Sequence, residues 1–267
     1  MFRVLGKTDI NFIGMRYAAF VLSALLLSLG LVATFMVFAG KARLGIDFSG
    51  GTMVQGNFAN PVDIGQLRSA LSSAGYTDAI IQKLEREIPN SYLIRVKATA
   101  ETGSKTAQSL VEVLKKEFPD NPYNLDSVDE VGPSVGKELR GKARMAVLIS
   151  LIGIMIYIWL RFDFRSGVAA AVSTFHDVLA VFGIMFILQK ETNLLLITAL
   201  LTLAGYSLTD KVVILDRIRE DLKLYRKQGN FAGLVNTAIN QVLSRTIITG
   251  VSVLLVLLTL VFFGGEV

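Results

Sequence analysis

The chain has 267 residues, 27 Lys and Arg against 22 Asp and Glu, no Cys and one His, for a formal net charge of +5. The absence of Cys excludes disulfides, thiolate zinc sites and Cys nucleophiles, and a single His excludes a multi-His metal site. Only 18% of residues are charged and 52% are hydrophobic. The apolar residues gather into long uncharged runs, which points to a membrane protein.

Five runs stand out in chain order: Tyr17–Gly40, Met145–Leu160, Ser166–Gln189 (interrupted by His176-Asp177), Thr192–Thr209 (continuing past Asp210-Lys211), and Thr246–Gly265. A spanning helix needs about 20 apolar residues. Four runs meet this, and the shorter second run is flanked by Arg144 and Arg161, whose long side chains can reach the interfaces. The expectation is an α-helical multi-pass bundle with five helices. An odd number that stops at Gly264-Gly265-Glu266-Val267 further suggests a sixth helix beyond this sequence.

The bundle is interrupted between its first two helices by residues 41–142, which hold 13 bases, 13 acids and all five prolines. This neutral stretch reads as a folded α+β domain. Strand character is clear over Gly51–Phe58, Asp78–Leu84, Ser91–Lys97 and Tyr123–Val131, and helical spacing over Val62–Gly75 and Thr102–Phe118. The order β-α-β-β-α-β is the ferredoxin-like arrangement. No nucleophile motif, phosphate loop or metal cluster accompanies it, so neither an enzyme nor a cofactor is expected.

The predicted organisation is thus residues 1–40 as N-terminus and first helix, 41–142 as the folded domain, and 143–267 as helices two to five with a loop over 216–245. Arg3, Lys7, Arg16, Arg161, Arg165, Lys211, Arg217, Arg219, Lys223, Arg226, Lys227 and Arg245 all fall on one side of the alternating helices. The positive-inside rule makes that side cytoplasmic, and places residues 41–142 outside. The excess charge is therefore a topology signal, which removes nucleic acid as a partner and leaves the lipid bilayer.

Ionisable side chains inside spanning helices are costly and point to function. The third helix carries His176 and Asp177, and the fourth carries Asp210. Counting residues puts Asp177 mid-bilayer and Asp210 nearer the inner face. Arg245, opening the fifth helix on that face, is the expected partner of Asp210. Low dielectric favours a neutral carboxyl and a nearby Arg favours an ionised one. An Asp whose partner moves can therefore take up and release a proton. The alternative is a static pair locking two helices. Asp216–Lys223 reads as an interfacial helix with pairs such as Arg217–Asp221, a solvated face. Gly50, Gly51, Gly132 and Pro133 flank the folded domain, as hinges or as ordinary turns.

These segments resemble a known family. GYSLTDKVVILDRIRE (Gly205–Glu220) is similar to the fourth-helix signature of the SecF family. GIDFSGG (Gly45–Gly51) and VGPSVGKEL (Val131–Leu139) are similar to its segments after helix one and before helix two. His176-Asp177 and Arg245-Thr246 also match. The resemblance implies a bacterial inner-membrane subunit of the resistance-nodulation-division superfamily, with six membrane helices and a ferredoxin-like periplasmic domain. It implies work with SecD and the SecY channel complex, drawing unfolded polypeptide outward at the expense of the proton-motive force. It also implies that Asp210 and Arg245 lie on the proton path, with Asp177 in a less defined role. Lys211 departs from the pattern, where a small or apolar residue is usual, and the 100° offset from Asp210 argues that it points elsewhere. A small-molecule or lipid exporter half, or a structural translocon subunit without proton coupling, are the competing readings.

Overall fold

In the computed structural model, residues 6, 8–84, 88–97, 106–224 and 230–263 are described. Arg3, Lys7, Arg226 and Lys227, the first residues of the helix predicted over 102–118, and the C-terminal Gly-Gly-Glu-Val lie outside them. The chain divides into two compact units. One is Met1–Phe38, Leu151–Leu188 and Ala199–Val267; the other is Ala39–Ser150 and Gln189–Thr198.

The second unit is built on a four-stranded antiparallel sheet of β1 (Gly51–Phe58), β2 (Ile80–Leu84), β3 (Ser91–Val96) and β4 (Tyr123–Val131), in the order β2-β3-β1-β4. Two helices, α3 (Ile64–Ser73) and α4 (Thr106–Glu117), connect β1 to β2 and β3 to β4; a short α2 (Ile46–Ser49) precedes β1. Alternation along β1 and β3 sends Val54, Phe58, Tyr92 and Ile94 to one face, where they bury against Leu67 and Leu71 of α3 and Leu110 and Leu114 of α4. The Tyr92 hydroxyl, inside this core, donates to the Val62 carbonyl at 2.6 Å and accepts from the Val62 amide at 3.1 Å. The Tyr92 hydroxyl is thus paired both as donor and as acceptor, whereas the Tyr123 hydroxyl of the same core is buried with no partner among the described residues.

The first unit contains long helices: α1 (Arg16–Phe38), α6 (Phe164–Ile187), α8 (Phe231–Phe263), most of α7 (Leu194–Leu224), and the C-terminal part of α5 (Pro133–Arg161) from Leu151 on. Among the described residues these five helices are long and apolar enough to cross a membrane. Leu25, Phe35, Ile149, Trp159, Val172, Leu255 and Phe262 are exposed, as lipid-facing side chains would be. α1 and α6 cross at Gly30 and Gly183. A Cβ at Gly30 would stand 2.2 Å from the Leu179 carbonyl oxygen, and one at Gly183 would stand 2.6 Å from the Gly30 amide nitrogen. Only glycine lets the backbones approach this closely, the usual basis of helix contact in lipid.

The helices outrun the apolar runs that announced them. α5 begins at Pro133, whose fixed φ and missing N–H suit the first helical position. Residues 133–144 are polar and carry no hydropathy signal. α7 continues through the charged run to Leu224, so Asp216–Lys223 is its last two turns and not a separate interfacial helix. No Gly or Pro interrupts it after Gly205. Arg245 does not open a helix: α8 starts at Phe231, leaving Arg245 well inside it.

Candidate functional site

The site forms where α6 meets α7. Ser207 and Lys211 are four residues apart and share one face of α7. Across from them, Asp177 on α6 accepts a hydrogen bond from Lys211 Nζ at 2.5 Å and from Ser207 Oγ at 2.8 Å, both on Oδ2. Its other oxygen lies 3.0 Å from His176 Nδ1. Lys211 Nζ also contacts the Ser207 hydroxyl and lies 3.3 Å from the Ser207 carbonyl. The ammonium is thus surrounded by oxygen. The Lys211 side chain is 16% exposed, against 38% for Asp177. His176 Nε2 is buried with no hydrogen-bond partner among the described residues.

The chemistry follows from this geometry. A carboxylate and an ammonium in hydrocarbon offset one another's desolvation, and Ser207 occupies a further lone pair of the carboxylate. Adding a proton to Asp177 would remove the charge that holds Lys211. The unpaired Nε2 leaves His176, in contact with the same carboxylate, one free valence for a proton donor or acceptor.

Asp210 and Arg245 are placed differently from the expectation. Among the described residues no ion pair or hydrogen bond joins their side chains; Asp210 is half-buried and Arg245 exposed. Lys211 points away from Asp210, and its target is Asp177. Residue counting missed this pair because a sequence period identifies a helix face but not the helix that the face meets. The signal available was Lys211, the one base in the stretch 194–215 of α7, one turn after Ser207.

The charged end of α7 ties helices together. Arg161 of α5 pairs with Asp216 at 2.5 Å. Arg217 reaches Gln241 of α8, Glu220 at 2.7 Å and Asp221 at 3.2 Å. The expected Arg217–Asp221 pair is present, yet the Asp221 side chain is only 2% exposed, so this face is not simply solvated.

The hinge candidates lie together at one end of the sheet. Gly51 pairs with Val131 across β1 and β4. Gly50 has φ +71°, and a Cβ there would lie 3.0 Å from Pro133 Cα. Arg140 of α5 donates to the Phe48 carbonyl beside them. The two pairs of hinge candidates are packed against each other within the sheet unit.

Fold and site define a multi-pass membrane protein with an α+β unit between its first two spanning helices and an ion pair between its third and fourth. Residues 111–267 match the family described as "Protein export membrane protein SecD/SecF, C-terminal". The chain is 45% identical over 268 residues to the protein translocase subunit SecF of Thermodesulfovibrio yellowstonii, covering 100% of this chain and 87% of the relative. It is 37% identical to that of Pseudomonas aeruginosa, covering 96% and 81%. The chain belongs to the SecF family.

Solved structures agree. The crystal structure of SecDF from Thermus thermophilus, described as a translocon-associated membrane protein, superposes with a TM-score of 0.80 at 35% identity, covering 97% of this chain. A structure of SecDF in a super-membrane-facing form gives 0.65 at 36% identity over 100% of this chain. This chain spans about a third of those SecDF chains, 34% and 35%.

Proposed function

We propose that this chain is a proton-coupled subunit of the Sec export machinery in a bacterial inner membrane. It works with SecD and the SecY channel complex to draw unfolded polypeptide outward late in export. Its N-terminus and residues 216–245, the end of α7 and the start of α8, are cytoplasmic, and residues 41–142 form a ferredoxin-like periplasmic domain. The element order and the strand order β2-β3-β1-β4 support that fold.

The observation that carries the coupling is the Asp177–Lys211–Ser207 cluster inside two spanning helices. In one state Asp177 is ionised and holds Lys211. Protonation of Asp177 releases Lys211, and α6 and α7 repack. Asp210 and Arg245 act in the alternate state, where they pair. The domain then moves on the paired crossings at Gly50-Gly51 and Gly132-Pro133. Such a cycle is driven only by the difference in proton affinity between its two states.

The test is preprotein translocation into membrane vesicles carrying Asp177→Asn, Lys211→Met, Asp210→Asn or Arg245→Met, with and without a proton gradient. Loss of the gradient-dependent part in the first two supports the cluster. Full retention in both would remove it from the mechanism, and retention in all four would leave a structural subunit.

A further inference from the structure

Within the helical unit, α5 ends at Arg161 and α6 starts at Phe164, with only Phe162 and Asp163 between them. Both helices are long and apolar enough to span a membrane, so a turn this short lies at a bilayer surface. Beside the turn the two helices form a side-opening groove of about 310 Å³. That is at the lower end of the roughly 300–1,000 Å³ of ligand pockets. Gly167 and Ile158 make its floor, and a Cβ at Gly167 would lie 3.0 Å from Ile158 Cγ2. Met155 and Trp159 of α5 and Phe164 and Val168 of α6 make its walls, and all four are exposed. Behind the floor, Ile158 and Phe162 are buried with Ala170 and Leu208. The core of the bundle is therefore closed behind the groove, and the apolar walls suit hydrocarbon rather than water.

Two charges stand at the mouth of the groove. Arg165, in the first turn of α6, is exposed, and its side chain makes no ion pair or hydrogen bond among the described residues. The other cation of the turn, Arg161, is engaged: it pairs with Asp216 at 2.5 Å and lies 5.2 Å from the centre of the Phe162 ring. Asp163 lines the groove. Its two oxygens each accept one bond from Ser166, at 2.9 and 3.3 Å, which leaves further lone pairs open on both. A purely anionic group would suit Arg165 but meet the Asp163 carboxylate. A group that carries both a phosphate and a primary ammonium suits both. A choline group has the same two charges but no N–H to donate.

We propose that this groove is a phospholipid site. An acyl chain lies against Gly167 and Ile158, the phosphate meets Arg165, and the ammonium of a phosphoethanolamine headgroup donates to Asp163. Trp159 stands where indole rings favour the boundary between hydrocarbon and headgroups. The site requires only that the α5–α6 turn lies at a bilayer surface, on either side, so it holds or fails separately from proton coupling.

Trp159 is the single tryptophan of the chain, so its fluorescence reports on this groove without background. The experiment reconstitutes the full chain in phosphatidylcholine vesicles that contain a small fraction of a phospholipid brominated in its acyl chains, since bromine quenches indole fluorescence on contact. Three brominated lipids are compared at equal fraction: phosphatidylethanolamine, phosphatidylglycerol and phosphatidylcholine. Phosphatidylethanolamine should quench several-fold more than the other two. Equal quenching by all three would reduce the groove to ordinary boundary lipid and overturn the proposal, as would strongest quenching by phosphatidylglycerol. Arg165→Gln should bring quenching by brominated phosphatidylethanolamine down to the phosphatidylcholine level. Asp163→Asn, which keeps the helix cap, should abolish the preference for ethanolamine over choline and raise quenching by phosphatidylglycerol. A preference unchanged in both variants would also sink the site. Val168→Phe, which fills the groove and leaves both charges, should weaken quenching by all three lipids. Free phosphoethanolamine in the aqueous phase should not relieve the quenching; relief would show that the mouth binds a soluble phosphate without an acyl chain, against the proposal.

Discussion

The sheet unit and the helical unit solve the same burial problem in opposite senses. Around the sheet, large apolar side chains such as Phe58, Leu67, Tyr92, Ile94 and Leu110 are buried, and the Lys97–Asp78 pair lies out in solvent with both side chains over two-thirds exposed. In the helical unit, large apolar side chains face outward, and the buried residues include small ones at helix contacts, such as Ala33, Ala170 and Ala204. The charges there turn inward, onto Asp177 and Lys211. In water the hydrophobic effect closes a core and leaves charges on the rim. In lipid that drive is absent between helices, and packing and polar pairs bring them together. The exposed Lys97–Asp78 pair is therefore a minor feature of the sheet unit, and the Asp177–Lys211 pair a central one of the helical unit.

The largest expected effect tests that contrast directly. Lys211→Met or Asp177→Asn should reduce export in the presence of a gradient to its level without one. Each single variant should also destabilise the protein by roughly 1–3 kcal/mol, less than the roughly 3–5 kcal/mol of a fully buried pair, because Asp177 keeps 38% of its side chain exposed. The double variant should regain stability in thermal unfolding while remaining without gradient stimulation. If the double variant recovers both, the pair only holds helices together. Removing Lys97 or Asp78 should change stability by less than about 1 kcal/mol, as for other exposed pairs.

Leu110→Ala probes the other unit. Its side chain is fully buried in the sheet core, so its truncation should cost about 2–5 kcal/mol. The measurement is proteolysis of residues 41–142 in intact membranes. The expected result is rapid cleavage of that stretch with the helices still membrane-embedded, because their insertion does not draw on the sheet core. Simultaneous loss of the helices would show that the units fold as one.

A smaller effect is expected at the helix crossing. Gly30→Ala sets a methyl 2.2 Å from a backbone oxygen of α6, and overpacking of this kind costs about 1–3 kcal/mol. Because Leu179 is two residues beyond Asp177, the displaced α6 should weaken gradient stimulation as well as lower the unfolding temperature. An equal fall in export with and without the gradient would confine Gly30 to stability.

What could be read in advance follows the same division. β1 was legible to the residue, Gly51–Phe58, because a half-buried strand leaves an apolar signal between turn residues. The spans were legible as apolar runs, but the starts of α5 and α8 were not. Residues 133–144 are polar, and the first turns of α8 carry Asn236 and Asn240. Asn236 accepts from the Ile13 amide, and Asn240 binds both the amide and the carbonyl of Ile10. Those side chains face a chain segment, and hydropathy has no term for such a partner. Asp177 and Asp210 were identifiable as misplaced charges. The pairing of Asp177 with Lys211 depends on how α6 and α7 cross, which no single-helix periodicity encodes.

The smallest effect compares the two helix caps that correspond between the units. Asp63 accepts from the Gly65 amide at the start of α3 at 2.7 Å, and Asp163 accepts from the Ser166 amide at the start of α6 at 3.3 Å. Asp63→Ala should cost about 1 kcal/mol of sheet-unit stability. Asp163 has a further bond, from the Ser166 hydroxyl at 2.9 Å. That hydroxyl first, and the backbone amide second, hold the Asp163 carboxyl below its ordinary value. A carboxyl lowered on folding contributes stability above its unfolded pKa of about 3.9 and loses it as pH falls through the folded value. Solvent screening keeps the contribution below about 1 kcal/mol, since the group is largely exposed. Thermal unfolding of Asp163→Asn should therefore show a flatter pH dependence than the parent between about pH 5 and 3, with the cap retained at neutral pH. Ser166→Ala should remove most of the same slope. A parent and an Asn variant with equal slopes would place the acid sensitivity of the helical unit elsewhere. It would also make Asp163 a cap of the same kind as Asp63, indifferent to which solvent surrounds the helix it starts.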